Sequence, residues 1–273
     1  MAQPPEPANK FRDLAPRVFS AAVMLPAAGF LIWYGGQAFA LAVVVMCGWM
    51  AWELGLLAQA ATLVDKFLLV GAEIIPMVLV AFVAVDQGLL AVPIVVAVLA
   101  AIRFLLGRSL SWTGIIGVAY IAAAGIAAMW LRQGEGGGDI WILLLLVVVA
   151  SDVSAYTVGR IVGGPKLAPA ISPKKTWSGA IGALSGSAAA AGIFGAVASL
   201  PILPMIGAAL FVSIASQMGD LLESWAKRRA GVKDSGSIIP GHGGALDRLD
   251  GFLFATPVLA CIVLVAGGPP ATW

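Results

Sequence analysis

Long apolar stretches recur from one end of this chain to the other, and they constrain it more than any motif does. A helix needs about 20 apolar residues to cross the roughly 30 Å of hydrocarbon in a bilayer, at about 1.5 Å per residue. Nine segments fit that length, near 17–34, 36–52, 67–85, 88–102, 110–131, 140–158, 178–199, 202–219 and 251–267. Too little polar sequence is left over for a water-soluble domain. Of the 273 residues 60% are apolar and 11% charged, against about 45–50% and about 25% in soluble domains. Soluble globular folds, disordered chains and disulfide scaffolds are thereby excluded. The expected fold is all-α: a polytopic membrane protein of about nine transmembrane helices.

The charges suggest an orientation. With the N-terminus in the cytoplasm and sides alternating after each span, 15 of the 16 basic residues fall on the cytoplasmic face, and Arg132 alone falls outside. The positive-inside rule then predicts N-in, C-out. Trp33, Trp52, Trp112, Trp130, Trp141, Trp177 and Trp225 fall near span ends, where an amphipathic indole is favoured. Residues 1–16 read as a disordered cytoplasmic tail, 17–150 as N-terminal transmembrane helices and 151–273 as a C-terminal catalytic region. The basic start, apolar stretch and Ala38-Phe39-Ala40 imitate a signal peptide. Pro26 interrupts the apolar region, however, and cleavage would spoil the charge alternation, so the first helix is expected to be retained. Cys47 and Cys261 each lie in an apolar run and read as buried small hydrophobes.

Chemistry is confined to two polar segments expected in the cytoplasm, 159–177 and 220–250, which hold nine of the 16 basic and five of the 14 acidic residues. Elsewhere Ala, Gly, Val and Leu pack helices, and Gly179, Gly182 and Gly186 read as sites of close helix approach. If the eighth helix runs on into the cytoplasm, Asp220, Glu223, Ser224 and Lys227 share one face. Paired carboxylates at the mouth of an apolar span are met either by a neutralising cation or by an i,i+4 Glu223–Lys227 pair at a solvated helix end. Further on, Asp234, Asp247 and Asp250 surround a turn in which Gly241, Gly243 and Gly244 permit close approach of backbone N–H groups to an anion. Oxygen donors without cysteine, and with His242 as the one histidine, suit Mg²⁺ rather than zinc. Glu73, far in sequence from both segments, is expected to be structural.

The segment Ser224-x-x-Lys227-Arg228-x₄-Lys233-Asp234-x-Gly236-x-x-Ile239-Pro240-x-His242-Gly243-Gly244-x-x-Asp247-Arg248-Leu249-Asp250 resembles the signature of the phosphatidate cytidylyltransferases, also called CDP-diacylglycerol synthases. It matches at 15 defined positions over 27 residues. A second block of that family is similar to Ser151-Asp152-x-x-Ala155-Tyr156-x-x-Gly159-Arg160, followed by Lys166-Leu-Ala-Pro-x-Ile-Ser172-Pro173-Lys174-Lys175-Thr176-Trp177. Ala245 and Ser178 depart from the family pattern, where a larger aliphatic and an acidic or amide residue are usual. The resemblance implies an integral enzyme of the bacterial inner membrane, with its site on the cytoplasmic side. It would join CTP and phosphatidic acid to give CDP-diacylglycerol and pyrophosphate in phospholipid biosynthesis.

Carried residue by residue, the resemblance implies catalytic roles for Asp220, Lys227, Asp247 and Arg248. Substrate contacts would come from Ser172, Lys174, Lys175, Thr176, Ser224, Arg228, Lys233, His242, Gly243 and Gly244. Asp220 and Asp247 would be Mg²⁺ ligands, with Asp152, Glu223 and Asp250 as alternates and a second cation left open. It also implies a homodimer among membrane lipids, and no nucleic-acid partner. The competing reading is a polytopic secondary transporter for an anionic substrate. That would place charges near mid-membrane, and only Glu73 is plainly inside a predicted span. A CDP-alcohol phosphatidyltransferase would begin its motif Asp-Gly-x-x-Ala-Arg, and Asp250-Gly251 is not so followed.

Overall fold

The computed structural model describes residues 26–60, 62–82, 88–105, 111–134, 136–236 and 243–273. The expected tail 1–16 lies outside them, as do His242 and its neighbours Ile238, Ile239, Pro240 and Gly241. In chain order the helices are α1 (26–34), α2 (Gly36–Leu57), α3 (Leu63–Phe82), α4 (Gly88–Leu105) and α5 (Trp112–Arg132). There follow α6 (Gly137–Val162), α7 (Trp177–Ala198), α8 (Ile202–Ala230) and α9 (Leu246–Ala266). Among the described residues a helix overlaps each of the nine predicted segments, although 17–25 of the first are not among those described. Six helical segments are long and apolar enough to cross a membrane: Gly36–Leu57, Trp112–Arg132, Gly137–Val162, Trp177–Ala198, Ile202–Ala230 and Leu246–Thr272.

Helices are what apolar sequence of this length must form in hydrocarbon, where the backbone has no water to bond. Their outward faces are apolar too: Ile181, Ile193, Val197, Leu203, Phe211 and Val265 are exposed. Where the chain turns, side chains replace the missing helical partners. Thr62 and Asp65 exchange hydrogen bonds in a capping box at the start of α3, the Asp65 carboxylate accepting from the Thr62 N–H at 3.0 Å. Ser111 caps α5 by accepting from the Gly114 N–H. Arg132, the one cation placed outside by the charge map, donates to the carbonyls of Ile32 and Trp33 at the C-terminal end of α1.

Two apolar clusters share α5 and α9. One joins α2, α3, α4 and α5 to the first turns of α9, through residues such as Leu54, Leu69, Leu99, Ile121 and Leu253. The other joins α5 to α6, α7, α8 and the rest of α9, through Leu144, Ala191, Val212 and Leu259. Buried hydroxyls add polar links in the second: Ser151 with Ser213 at 2.9 Å, and Ser187 donating to the Val147 carbonyl. Glu73 is fully buried within α3 and has no hydrogen-bond partner among the described residues.

Glycine sets the helix approaches, as the sequence suggested. A Cβ on Gly182 would lie 2.6 Å from Val158, and one on Gly186 would strike Ser154, so α7 lies hard against α6. Likewise α8 meets α9 where a Cβ on Gly219 would strike the Asp250 carbonyl.

Both polar segments contain regular structure among the described residues. α6 runs to Val162, and an antiparallel hairpin follows it, β1 (Lys166–Ala168) pairing with β2 (Ser172–Thr176). These strands are the one departure from an all-α chain among the described residues. α8 does run on, 11 residues past Gly219 to Ala230, which is about 16 Å at helical rise. Residues 220–230, expected within the second polar segment, are therefore helical.

Gly219→Ala presses a methyl group against backbone that has nowhere to yield, and is expected to cost about 1–3 kcal/mol. Gly207, also in α8, faces open space, and Gly207→Ala is expected to be neutral or to stabilise by about 0.5–1 kcal/mol. Thermal unfolding of the two proteins in detergent micelles measures the difference; equal stability would show that α8 and α9 separate without cost.

Candidate active site

The extension of α8 and the start of α9 bring the charged residues of the signature together. Lys227 lies between two carboxylates, its ammonium 2.5 Å from Glu223 Oε2 and 2.6 Å from Asp247 Oδ1. The first pair follows from i,i+4 spacing on α8, whereas the second ties α8 to α9 across 20 residues. The other Asp247 oxygen, Oδ2, accepts from the backbone N–H of Ser235 at 2.9 Å, from its hydroxyl at 3.0 Å and from the Gly244 N–H at 2.9 Å. Four donors hold one carboxylate, and such charge-assisted bonds are the strong ones. Gly243, at φ +78°, takes a left-handed conformation that brings the chain back over Asp247.

A second centre forms around Asp220. Its Oδ2 lies 2.5 Å from the Lys175 ammonium, delivered by β2, and its Oδ1 is 3.4 Å from the Ser224 hydroxyl. Asp152 of α6 and Asp250 of α9 are near enough to Asp220 for mutual electrostatic repulsion. Three helices thus turn carboxylates toward one region, and Lys175 is a counter-charge there. The close crossing of α8 and α9 at Gly219 is what puts Asp220 beside Asp250.

The remaining expected contact residues are placed as follows. Ser172 and Lys174 lie on β2, Lys174 exposed. Arg228, Lys233 and Arg248 are exposed, and the Arg228 Nε reaches the Ile171 carbonyl at 3.5 Å, linking α8 to the hairpin. Thr176 is buried, and its hydroxyl caps α7 by accepting from the Gly179 N–H at 3.1 Å. It fits there because Gly159 and Gly179 leave room for it.

One residue of the site escaped the sequence reading. Glu53, near the end of α2 and 3% exposed, accepts from the N–H groups of Ala245 at 2.9 Å and Leu246 at 3.0 Å, and its Oε2 lies 3.2 Å from the Ser235 hydroxyl, whose single proton it shares with Asp247. The predicted second span stopped at residue 52, which left Glu53 looking like an ordinary end-of-helix acid. Its signal was an acidic residue in an apolar helix with no basic residue within a helical turn on either side, which demands a distant donor.

As for metal, every candidate donor is a carboxylate oxygen, which fits a hard divalent cation. Asp220 and Asp247 each turn one oxygen toward a lysine ammonium, the position a cation takes. Among the described residues no three such side chains already stand at ligating distance. Beside the site an apolar cavity of about 300 Å³ opens between α2, α5, α8 and α9, with Leu54, Tyr120, Leu222 and Leu253 in its wall and Glu223 and Asp250 at its edge.

The profile of the cytidylyltransferase family matches residues 15–266. The chain belongs to that family. Named relatives include phosphatidate cytidylyltransferases of Brucella abortus biovar 1 (strain 9-941), 48% identical over 148 residues, and of Staphylococcus aureus (strain COL), 40% identical over 147 residues. These matches take in 52% and 53% of this chain, and 54% and 56% of the relatives. The chain thus spans about half the length of the curated relatives it matches. In this cytidylyltransferase family member, the signature residues that the fold brings into direct contact are Lys227, Asp247 and Gly244.

Removing Lys227 would leave Glu223 and Asp247 facing each other without their shared cation. Breaking a largely buried pair in this way costs about 3–5 kcal/mol; at 15% exposure of the lysine, the lower end is expected for Lys227→Met. Adding Glu223→Gln should return part of that loss. Chemical denaturation in micelles checks both, and a double variant no more stable than Lys227→Met would argue against the three-residue bridge.

Proposed function

We propose that this protein joins CTP to phosphatidic acid, releasing pyrophosphate and forming CDP-diacylglycerol, as the names of its relatives suggest. The observation that carries the reading is the Lys227–Asp247 bridge, which gathers the family signature from two helices into one charged site at the end of an apolar bundle. That is where a water-soluble triphosphate and a lipid phosphate would meet.

The chemistry asks mainly for charge neutralisation. A phosphate oxygen of the lipid attacks the α-phosphorus of CTP; one P–O bond forms, the bond to the β-phosphate oxygen breaks, and the electron pair leaves with pyrophosphate. A phosphate monoester loses its second proton near pH 6, so the attacking oxygen is already largely ionised at neutral pH and needs no general base. Positioning and electrostatics then dominate. Lys175 and Lys227, each already aligned by a carboxylate, would face triphosphate oxygens, with Lys174, Arg228, Lys233 and Arg248 adding positive charge around them. Arginine can grip phosphate through two parallel hydrogen bonds. Gly243 would bring its backbone N–H to the same anion, and Gly244, whose N–H is held by Asp247, would let the chain approach it closely; His242 precedes them in sequence as a further expected contact.

Asp220 and Asp247 are the proposed ligands of Mg²⁺, with Asp152, Glu223 and Asp250 as alternates. The cation, when bound, would neutralise triphosphate oxygens and the departing pyrophosphate. The three donors on Asp247 Oδ2 would keep that carboxylate oriented toward the site.

We also propose a nine-span, N-in/C-out topology in the bacterial inner membrane, with the site on the cytoplasmic side and two copies of the chain associating among membrane lipids. The one-sided distribution of basic residues supports the orientation. In a background lacking Cys261, Ser172→Cys should react with impermeant thiol reagents only from the inside and Gln133→Cys only from the outside. Labelling of Ser172→Cys from outside in intact cells would overturn the topology.

Activity is read as pyrophosphate release that requires both CTP and phosphatidic acid, from purified protein in detergent. Asp220→Asn and Asp247→Asn should each slow it by about two orders of magnitude or more, equivalent to about 2.7 kcal/mol. Added Mg²⁺ should restore part of the loss, and the two effects should be non-additive. Near-normal rates with unchanged Mg²⁺ dependence in either variant would point to Asp152, Glu223 or Asp250 instead.

A further inference from the structure

Glu53 lies in a place that its own helix does not explain. It is near the C-terminal end of α2, where the helix dipole disfavours negative charge, and it is almost completely buried. Among the described residues its hydrogen-bond donors come from one distant part of the chain: the N–H groups of Ala245 and Leu246 and the hydroxyl of Ser235, 182 to 193 residues away. α9 has no cap from its own preceding side chain, since Ala245 stands at the N-cap. Glu53 instead takes the Leu246 N–H of the first turn and the Ala245 N–H just before it, and the positive end of the α9 dipole faces the carboxylate.

The surrounding chain is shaped to admit this carboxylate. A Cβ on Gly236 would lie 2.7 Å from Glu53 Oε1, and one on Gly244 would strike Glu53 Oε2. Ser235 completes the link, because its hydroxyl lies within hydrogen-bond distance of both Glu53 Oε2 and Asp247 Oδ2. Its backbone N–H and that of Gly244 also donate to Asp247. The backbone that holds Asp247 is therefore the backbone that Glu53 holds.

We propose that Glu53 is a positioning residue for nucleotidyl transfer: it anchors Ser235 and the first turn of α9 so that Asp247, and with it Lys227, points into the site. The inference rests on the cytidylyltransfer reading above. Glu53 touches no reacting atom. Its effect should pass through the alignment of Asp247, and so fall on turnover more than on nucleotide affinity.

Two variants of the full chain test this in detergent, with phosphatidic acid in mixed micelles. Glu53→Gln keeps the shape but replaces one acceptor oxygen by an N–H₂ group that opposes the α9 donors. Ser235→Ala leaves the α9 cap intact and cuts the bridge from Glu53 to Asp247. Each should lower kcat per folded molecule by about tenfold or more, with KM for CTP within about threefold of the wild type. The double variant should lose less than the product of the two. Turnover per folded molecule within about twofold of wild type in Glu53→Gln, even with a lowered Tm, would overturn the proposal and leave Glu53 a purely structural cap. If Glu53→Gln does not fold, Ser235→Ala decides alone, and unchanged kcat there overturns it. A wild-type protein that released no pyrophosphate from CTP would instead overturn the cytidylyltransfer reading, and this inference with it.

Discussion

A charge largely withdrawn from water at the end of an apolar bundle is costly unless it is paired. Glu73 apart, most of what is distinctive in this structure follows from meeting that constraint. Lys227 is held by Glu223 and Asp247, Lys175 by Asp220, and Arg132 by two helix-end carbonyls. Glu53 is held by two N–H groups and a hydroxyl. Each arrangement spans elements distant in sequence. Charge pairing thus does here part of what apolar burial does in a soluble protein: it specifies which helix end sits beside which.

α5 and α9 carry the consequence through the molecule. Both contribute to both apolar clusters, so the N-terminal helices and the helices bearing the signature cannot be treated as independent layers. α9 is doubly bound at its start, by Glu53 from α2 and by Lys227 from α8. Its register against the two groups of helices is therefore set at the same turn that supplies Asp247 and Asp250.

The helices were legible because apolar length is a strong signal: among the described residues a helix overlaps each predicted segment, and six are long and apolar enough to cross a membrane. The largest error was at α8, where the apolar run stops at Gly219 but the helix continues to Ala230. Hydropathy reports where lipid would end, not where hydrogen bonding ends, and only the i,i+4 spacing of Glu223 and Lys227 hinted at the rest. The hairpin of β1 and β2 left no alternating pattern to read in Lys166–Thr176, because its strands are three and five residues long. Of the site, the signature residues were legible by resemblance and by charge density. What could not be read was who pairs with whom. The Thr176 hydroxyl, expected at substrate, also caps α7, and Glu53, to which the sequence reading gave no role, reaches across the molecule. Such pairings depend on tertiary proximity, which residue spacing does not encode.

The cap at Thr176 has a consequence for how this site tolerates change. Its hydroxyl sits in the gap left by Gly159 and Gly179, which welds the end of β2 to α6 and α7. Lys175 is the adjacent residue, so its reach toward Asp220 is governed by that weld and not by the outer end of the hairpin. The turn at 169–171 can then lengthen or diverge over evolutionary time at little entropic cost without moving the lysine. Sequence drift is thereby partitioned within a single short hairpin, with a permissive tip and a base that must stay as it is.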